Sequence, residues 1–573
     1  MERDVATTSL TPTARAEALE AMQREELDVL VIGGGVTGAG TTLDAVTRGL
    51  TTAMVEMRDW ASGTSSRSTK LLHGGLRYLE MLDFGLVREA LRERGLVMNK
   101  LAPYLSRPVP IIYPLTGKGW ERLYVGAGIA LYDLMALEKG AGRGVPPHKH
   151  YSKSTTMKLF PGLDPDVCVG AIRYFDGQVD DARYTMALAR TAAVHGAHVA
   201  TRTKVTGLLR EAGRVIGATV KDLETGDTFD VRARVIINAT GVWTDEMQAL
   251  LGEEGEFTVR ASKGIHLLVP RDRIKAKVGM ILRTEKSVLF TIPWHQHWLI
   301  GTTDTDYDLD KGDPTASAED IEYVLAQANR VLKSKLTKDD IVGTYAGLRP
   351  LVAGNADSTA KLSREHLVTE TAPGMVVVAG GKYTTYRVMA EDTVDAALAS
   401  MGKQVGPCIT REVPIIGVDG YKAAFNRREL TAERTGMHVA RIEHLLRRFG
   451  ALSEDVLALI GEDPSLGEPI PGADDYLKAE VVYSAREEGA MHLEDVLVRR
   501  THINIEVQDR GAEAAPHVAD LMAAEFGWSD EQREFELSAY LKRVEAELAA
   551  NAAPDDESAQ AARLAAPEVV PLR

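Results

Sequence analysis

Three glycines near the start of the chain are spaced as a bound nucleotide phosphate requires. Gly33, Gly35 and Gly38 form the pattern G-x-G-x-x-G, directly after the apolar run 27–32. Glycine lets the backbone approach a pyrophosphate, and the helix that follows would contribute amide groups and the positive end of its dipole. Glu56 ends the next predicted strand and can accept hydrogen bonds from ribose hydroxyls. This βαβ unit predicts a dinucleotide site, against the alternative of an ordinary strand, turn and helix.

Two later segments repeat the arrangement of a buried strand followed by glycine. Residues 235–241 read VIINATG, and residues 376–386 read VVVAGGKYTTY. Three strand ends that meet at one edge of a sheet favour FAD over NAD as the dinucleotide, although each element alone could be an ordinary turn. We therefore expect four further residues at the cofactor: Gly241, Gly381, Lys382 and Thr384.

A polar segment lies between the first two of these regions. Residues 62–78 read SGTSSRSTKLLHGGLRY, which is rich in hydroxyls and cations and poor in apolar side chains. Such a segment is unsuited to a core and predicts a pocket wall, with Ser62 and Ser66 towards the cofactor. A solvated basic loop is the alternative.

Several longer motifs together resemble one family. These are SSRSTKLLHGGLRYLE at 65–80, GTTDTD at 301–306, GLRPL at 347–351, LSREH at 362–366, GGKYTTYR at 380–387 and EDVLVRRT at 494–501. The chain from about residue 27 to residue 550 resembles FAD-dependent glycerol-3-phosphate dehydrogenase. The resemblance implies oxidation of sn-glycerol 3-phosphate to dihydroxyacetone phosphate, with electrons passing through FAD to a membrane quinone.

The resemblance also implies which side chains meet the substrate. Arginine suits a phosphate because its planar guanidinium donates two parallel hydrogen bonds. Five residues match family positions around the substrate: Arg77, Tyr78, Arg349, Arg364 and Lys382.

Oxidation of an alcohol also needs a base for the hydroxyl proton. His73 is the first candidate, because imidazole exchanges protons near neutral pH, and packing against the flavin is its alternative role. Lys263, in the run SKGIH, is a second candidate that could polarise the flavin or hold substrate, and Arg349 is expected to take part in catalysis. His266 is predicted to be structural.

The remaining patterning predicts an α/β protein. The resemblance implies a Rossmann-like FAD-binding domain and an antiparallel-sheet substrate domain, and the helical patterning after them predicts an all-helical C-terminal domain. The predicted parts are a flexible arm at 1–26, the FAD-binding domain at 27–81, 184–245 and 341–403, the substrate domain at 82–183 and 246–340, the helical domain at 404–550 and a disordered tail at 551–573.

Composition narrows the possible partners. The net charge of −15 argues against a nucleic-acid partner. The two cysteines are far apart and lack the spacing of metal ligands. They predict neither a metal site nor a disulfide framework, and they fit a reducing cytoplasm. No apolar run is long enough to cross a bilayer, so contact with the inner face of the cell membrane would be peripheral, with 441–448 as the candidate surface. A homodimer is possible.

Other functions remain open at this point. A hydrogen-peroxide-forming glycerol-3-phosphate oxidase would use the same site and differ in electron acceptor. A related flavoenzyme acting on a 2-hydroxy acid or an amino acid would not need this many cations. A non-catalytic, FAD-stabilised scaffold would not need the polar pocket.

Overall fold

The computed structural model describes residues 9–75, 83–117, 119–136, 145–252, 257–285, 288–353, 365–566 and 568–570. In chain order its strands are β1 (Leu27–Ile32), β2 (Thr52–Val55), β3 (Leu71–Leu72), β4 (Ser106–Leu115), β5 (Lys149–Ser152), β6 (Gly170–Val179), β7 (His198–Ala200), β8 (Thr203–Glu211), β9 (Arg214–Asp222), β10 (Thr228–Asn238), β11 (Val259–Pro270), β12 (Gly279–Arg283), β13 (Val288–Trp294), β14 (His297–Gly301), β15 (Thr305–Tyr307), β16 (Gly343–Val352), β17 (His366–Ala372), β18 (Met375–Gly380), β19 (Pro469–Ile470) and β20 (Ala473–Leu477).

The helices alternate with these strands in the first 400 residues and dominate after them. They are Pro12–Arg24, Val36–Thr47, Phe84–Leu96, Gly119–Met135, Lys153–Leu159, Asp181–Val194, Thr244–Ala249, Ala318–Asn329, Tyr386–Met401, Tyr421–Asn426, Arg428–Thr435, Val439–Phe449, Ser453–Glu462, Lys478–Glu487, Ile503–Glu506, Ala515–Phe526, Asp530–Ala552 and Asp556–Leu564. None of the described helices combines the length and the apolar character that crossing a bilayer requires.

The first sheet carries the nucleotide-binding architecture. Its order is β17-β18-β10-β1-β2-β7, and β1 pairs in parallel with both β2 and β10. All six residues of β1 are buried, as a strand covered on both faces should be. Helices 36–47, 181–194 and 386–401 pack together on one face. The parallel strands β1, β10 and β18 therefore end at one edge, where their following loops meet.

The second sheet is mainly antiparallel and lies against the first at that edge. Its order is β15-β11-β14-β13-β12-β4-β6-β3, with β16 paired to β11 and β5 paired to β6. Both β3 and β16 belong to this sheet, whereas the predicted boundaries had placed residues 71–72 and 343–352 in the FAD-binding domain. Their sequences are apolar enough for either sheet, so only the pairing partners decide.

The C-terminal helices form cores of their own. The domain begins with three short helices, at 421–426, 428–435 and 439–449, and Gly436 ends the second in the left-handed conformation. Leu445 and Leu446 are buried inside this domain, and the buried Arg448 is paired with Glu480. The expectation that 441–448 forms a lipid-facing surface is therefore wrong.

Both chain termini are more ordered than predicted. Helix 12–24 buries Ala18, Leu19 and Met22 against the first sheet, so the described part of the arm is docked. Helix 556–564 lies within the predicted disordered tail, so the expectation of disorder is wrong for that part. Its anchors are ion pairs, of Asp556 with Lys263 and of Arg563 with Asp313, rather than an apolar stripe. The sequence gives little apolar periodicity there, which explains the error.

Buried ion pairs join the helical domain to the nucleotide-binding domain. Asp59 follows β2 and is 1% exposed, and it accepts hydrogen bonds from Arg499 at 2.5 Å and from Arg500 at 2.7 and 2.8 Å. Arg183 donates two hydrogen bonds to the buried Glu488. Charges removed from water stabilise a structure only when each has its partner, so these contacts must form together.

We expect Arg500→Met to lower the free energy of unfolding by about 3 kcal/mol, because Asp59 stays buried with one guanidinium fewer. Arg434→Met is the matched control: it removes a surface pair with Glu454 and should cost about 0–1 kcal/mol. Thermal unfolding followed by circular dichroism measures both. Equal losses for the two variants would contradict a joining role for the buried pair.

Candidate cofactor cavity and active site

A continuous cavity of about 580 Å³ runs between the two sheets, along the edge where β1, β10 and β18 end. One end is lined by Val55, Glu56, Met57 and Arg58, which follow β2. The other end combines residues from both sheets: His73, His266, Phe290, Arg349, Lys382 and Thr384. The cavity is therefore elongated, with a nucleotide-type end and an end that is rich in polar and titratable groups.

The motif glycines are required by close contacts. Gly33 has a φ of +116°, and a Cβ there would lie 2.7 Å from the carbonyl oxygen of Ala239. Gly35 lines the cavity and precedes helix 36–47, so the start of that helix carries no capping side chain. Gly38 does not line the cavity. A Cβ on Gly38 would lie 1.9 Å from the carbonyl oxygen of Gly33, so it permits the helix to pack on the strand end.

Glu56 lies at the nucleotide end as predicted. Its carboxylate accepts hydrogen bonds from the amides of Gly34 at 2.6 Å and Arg58 at 2.8 Å. Burial raises the pKa of Glu56, and these two amide donors partly offset the rise. The side chain is held at the end of β2, where its oxygens can also accept ribose hydroxyls.

The polar loop after β2 forms one wall. Ser62 lines the cavity, and so does Ser65, whose hydroxyl accepts a hydrogen bond from the amide of Val36 at 2.9 Å. Ser66 is turned away from the cavity, and its carbonyl accepts a hydrogen bond from Lys70. Of the neighbouring serines the sequence pointed to the wrong one, because a short 3₁₀ turn at 64–66 decides which hydroxyl faces inward.

The ends of β10 and β18 complete the cradle. Gly241 and Gly381 line the cavity with φ of +61° and +78°, a conformation that favours glycine. Lys382 and Thr384 also line it, and the Thr384 hydroxyl donates to the His73 carbonyl at 3.1 Å. A helix start with glycine at its N-cap, a ribose acceptor and three convergent strand ends are the features that a bound FAD needs, so the residues present fit this cofactor.

His73 is paired with a carboxylate that the sequence did not reveal. Its Nδ1 lies 2.7 Å from Oδ2 of Asp176, which is fully buried, while the imidazole is 27% exposed towards the cavity. Burial alone would raise the pKa of Asp176, but His73 and Arg94 outweigh it and lower the pKa below its ordinary value. An ionised Asp176 holds the proton on Nδ1 and leaves Nε2 to act as a base.

Arg349 lies on β16 and lines the same cavity as His73. Its guanidinium donates to Thr302 Oγ1 at 3.1 Å and to the Thr303 carbonyl at 3.2 Å, and Asp304 lies 3.4 Å away. A Cβ on Gly264 would lie 2.4 Å from the guanidinium, so that glycine gives the arginine its place. The side chain is 21% exposed and lines the cavity, where it can meet an anion.

His266 also lines the cavity, stacked on Tyr345 with ring centroids 4.7 Å apart. Burial, reinforced by Arg349 and Lys70, lowers its pKa well below the ordinary range. It is therefore neutral near pH 7 and a weak base, which leaves His73 as the better acceptor of a proton.

One further predicted site residue, Lys263, is not brought to the cavity. Lys263 is fully buried outside it, with its ammonium between Asp320, 2.5 Å away, and Asp556. The expectation that Lys263 faces flavin or substrate is wrong, because two carboxylates hold it on the opposite side of β11. Three further residues lie outside the described part of the chain: Arg77, Tyr78 and Arg364.

The chain matches two known families of protein sequence. The FAD-dependent oxidoreductase family covers residues 28–395, and the C-terminal domain of alpha-glycerophosphate oxidase covers residues 408–533. The Mycobacterium tuberculosis protein named glycerol-3-phosphate dehydrogenase 2 is 54% identical over 560 residues, which is 98% of this chain and 95% of that protein. The human mitochondrial glycerol-3-phosphate dehydrogenase is 36% identical over 548 residues, covering 92% and 74% of the two chains.

A solved structure agrees with these matches. The crystal structure of the glycerol-3-phosphate dehydrogenase from Bacillus halodurans, complexed with FAD, has a TM-score of 0.77 at 29% identity and covers 96% of this chain and 99% of that one. The predicted fold class and the predicted cofactor, FAD, are confirmed. The chain belongs to the FAD-dependent oxidoreductases, in the branch whose curated members are named glycerol-3-phosphate dehydrogenases.

Proposed function

We propose that this protein oxidises sn-glycerol 3-phosphate to dihydroxyacetone phosphate. The observation that carries the proposal is that His73, paired with Asp176, lines the same cavity as two cationic side chains, Arg349 and Lys382. A base next to anion-binding groups is what a phosphorylated alcohol requires. The relatives' shared name agrees with that chemistry. A 2-hydroxy acid would need fewer cations.

The reaction divides between cofactor and protein. FAD, when bound, supplies the hydride acceptor for the hydrogen on the substrate's C2. His73 takes the proton of the C2 hydroxyl on Nε2, so that the oxygen's electron pair forms the carbonyl bond. Asp176 keeps the Nδ1 proton in place and stabilises the imidazolium that forms. Each substrate molecule thus loses one hydride and one proton when its C2 alcohol becomes a ketone.

Arg349 and Lys382 bind and orient the substrate. Each charge-assisted hydrogen bond to a phosphate contributes about 1.5–3 kcal/mol. Asp304 contacts one nitrogen of Arg349 at 3.4 Å, and the hydroxyl and carbonyl groups of the 302–303 turn hold the other. This arrangement holds the guanidinium in a fixed position. The substrate would then span the distance between the guanidinium and the base.

The electron acceptor that we propose is a quinone dissolved in the bilayer, which requires the protein to dock at the inner face of the membrane. Helix 119–135 offers a surface for it: Trp120, Leu123, Tyr124 and Leu134 are 73%, 75%, 56% and 64% exposed. Tryptophan and tyrosine favour the interface between headgroups and hydrocarbon. Two exposed cations lie nearby and suit anionic lipid: Lys149 on β5, and Lys153 at the start of the helix that follows it.

A homodimer stays a prediction, which sedimentation equilibrium would test.

A peroxide-forming oxidase would share the site, and the electron acceptor alone distinguishes it. Oxidation of the reduced protein by a soluble quinone analogue should be much faster than its oxidation by oxygen. Rapid stoichiometric formation of peroxide would instead assign the oxidase activity.

We expect His73→Asn to slow anaerobic flavin reduction by glycerol 3-phosphate by about 10²- to 10⁴-fold, because the general base is lost. The substrate concentration for half-maximal reduction should stay similar, since no phosphate contact is removed. Stopped-flow bleaching of the flavin measures both quantities. The parallel variant is His266→Asn. If it abolished reduction while His73→Asn did not, the two roles would have to be exchanged.

Arg349→Leu should raise the KM for glycerol 3-phosphate by about 10- to 10²-fold, because a charge-assisted contact to phosphate is lost. FAD content should not change. The matched control is Arg260→Leu, on neighbouring β11, where the arginine pairs with Asp306 at the surface. Steady-state kinetics with glycerol as the second substrate completes the test. Wild-type protein that used glycerol as well as glycerol 3-phosphate would disprove phosphate recognition.

The double variant Trp120→Ser, Leu123→Ser should bind anionic vesicles at least about fivefold more weakly, because two large apolar side chains no longer enter the interface. Co-sedimentation at low salt measures the binding. Leu430→Ser is the control, since Leu430 is 63% exposed in the helical domain, away from helix 119–135. Equal vesicle binding by all three proteins would remove helix 119–135 as the docking surface.

A further inference from the structure

The carboxylate that orients His73 is itself held by other side chains. One oxygen of Asp176, Oδ2, accepts from His73, and the other, Oδ1, accepts from Tyr132 at 2.7 Å, from Arg94 at 2.7 Å and from the amide of Gly74 at 3.3 Å. All of these side chains except His73 are fully buried. The carboxylate therefore has one oxygen fixed by three donors and the other free for the imidazole.

Tyr132 is built to donate to this oxygen. Burial, followed by the nearby charge of Asp176, keeps the pKa of Tyr132 well above its ordinary value, so the phenol keeps its proton. Its hydroxyl accepts from Arg94 at 3.2 Å, which leaves its own proton for Asp176. A Cβ on Gly74 would lie 2.2 Å from the hydroxyl, so the glycine that follows His73 gives the phenol its place.

We propose that Tyr132 is a positioning residue for the base: through Asp176 it fixes the orientation in which His73 presents Nε2 to the substrate. The proposal rests on the function proposed above. Tyr132 lies on helix 119–135, whose opposite side carries the exposed apolar residues, so the base depends on the seating of that helix. Without the phenol, Asp176 loses one of its Oδ1 donors, and its carboxylate can rotate about the Cβ–Cγ bond.

The loss has a definite electrostatic consequence. The charged and titratable groups around the pair are Arg94 from helix 84–96, Tyr132 and Asp133 from helix 119–135 and Tyr174 from β6, while Arg349 and Lys382 line the cavity on the open side of His73. When the Tyr132 hydroxyl is absent, Asp176 no longer receives its hydrogen bond. The carboxylate then directs more of its negative charge towards His73 and attracts the imidazolium more strongly. We therefore expect the acidic limb of the rate profile to move to higher pH in a variant that lacks this hydroxyl.

The test compares Tyr132→Phe with Tyr174→Phe. Tyr174 is a matched control: it is fully buried, its ring meets that of Tyr132 edge-on at 6.3 Å, and its hydroxyl has no hydrogen-bond partner among the described residues. We expect Tyr132→Phe to slow anaerobic flavin reduction roughly tenfold, a part of what a general base contributes. Its acidic limb should move to higher pH, with KM and FAD content unchanged. Tyr174→Phe should match the wild type in all four quantities.

A double-variant cycle separates positioning from a general structural effect. If Tyr132 acts through Asp176, adding Tyr132→Phe to Asp176→Asn should slow reduction little further, whereas independent effects would multiply. Multiplying effects, or a Tyr132→Phe profile that coincides with that of Tyr174→Phe, would overturn the proposal. A wild-type flavin that glycerol 3-phosphate does not reduce would instead refute the proposed function, so the two failures are distinguishable.

Discussion

Buried ion pairs of Asp313 join the wall of the cofactor cavity to helix 556–564. Its carboxylate is in a loop of the substrate domain and pairs with Arg58 and Arg67, which line the cavity, and with Arg563 from the last helix. Burial alone would raise the pKa of Asp313, but the surrounding guanidiniums, that of Arg563 foremost, hold it well below the ordinary range. The resulting stability is present near neutral pH and is lost only as the pH falls far below it.

The active site depends on this interlocking because it has no domain of its own. His73 follows β3, Asp176 lies on β6 and Arg349 lies on β16, so three distant pieces of one sheet supply the proposed chemistry. The cofactor cradle comes from the other sheet. A shift of one sheet against the other would separate base from hydride acceptor, and the buried pairs at Asp59 and Asp313 oppose that shift.

Helix 119–135 adds a second kind of dependence. Its inner side supplies Tyr132 to the carboxylate behind the base, and its outer side exposes large apolar residues that a water-facing helix would lack. The net charge of −15 gives no general attraction to anionic lipid, so a local surface of this kind is what docking would require. One element thus meets both the catalytic pair and the proposed membrane surface.

The sequence by itself determined the features that depend on neighbours in the chain. Gly33, Gly35 and Glu56 were predicted correctly at the cavity because a strand, a tight turn and a helix follow one another locally. Tertiary structure alone decided which distant groups meet. Asp176 is 103 residues from His73, and Asp556 is 293 residues from Lys263, and one pairing makes a base while the other removes a lysine from the site. Periodicity reports which face of an element is buried, but it does not report the partner it is buried against.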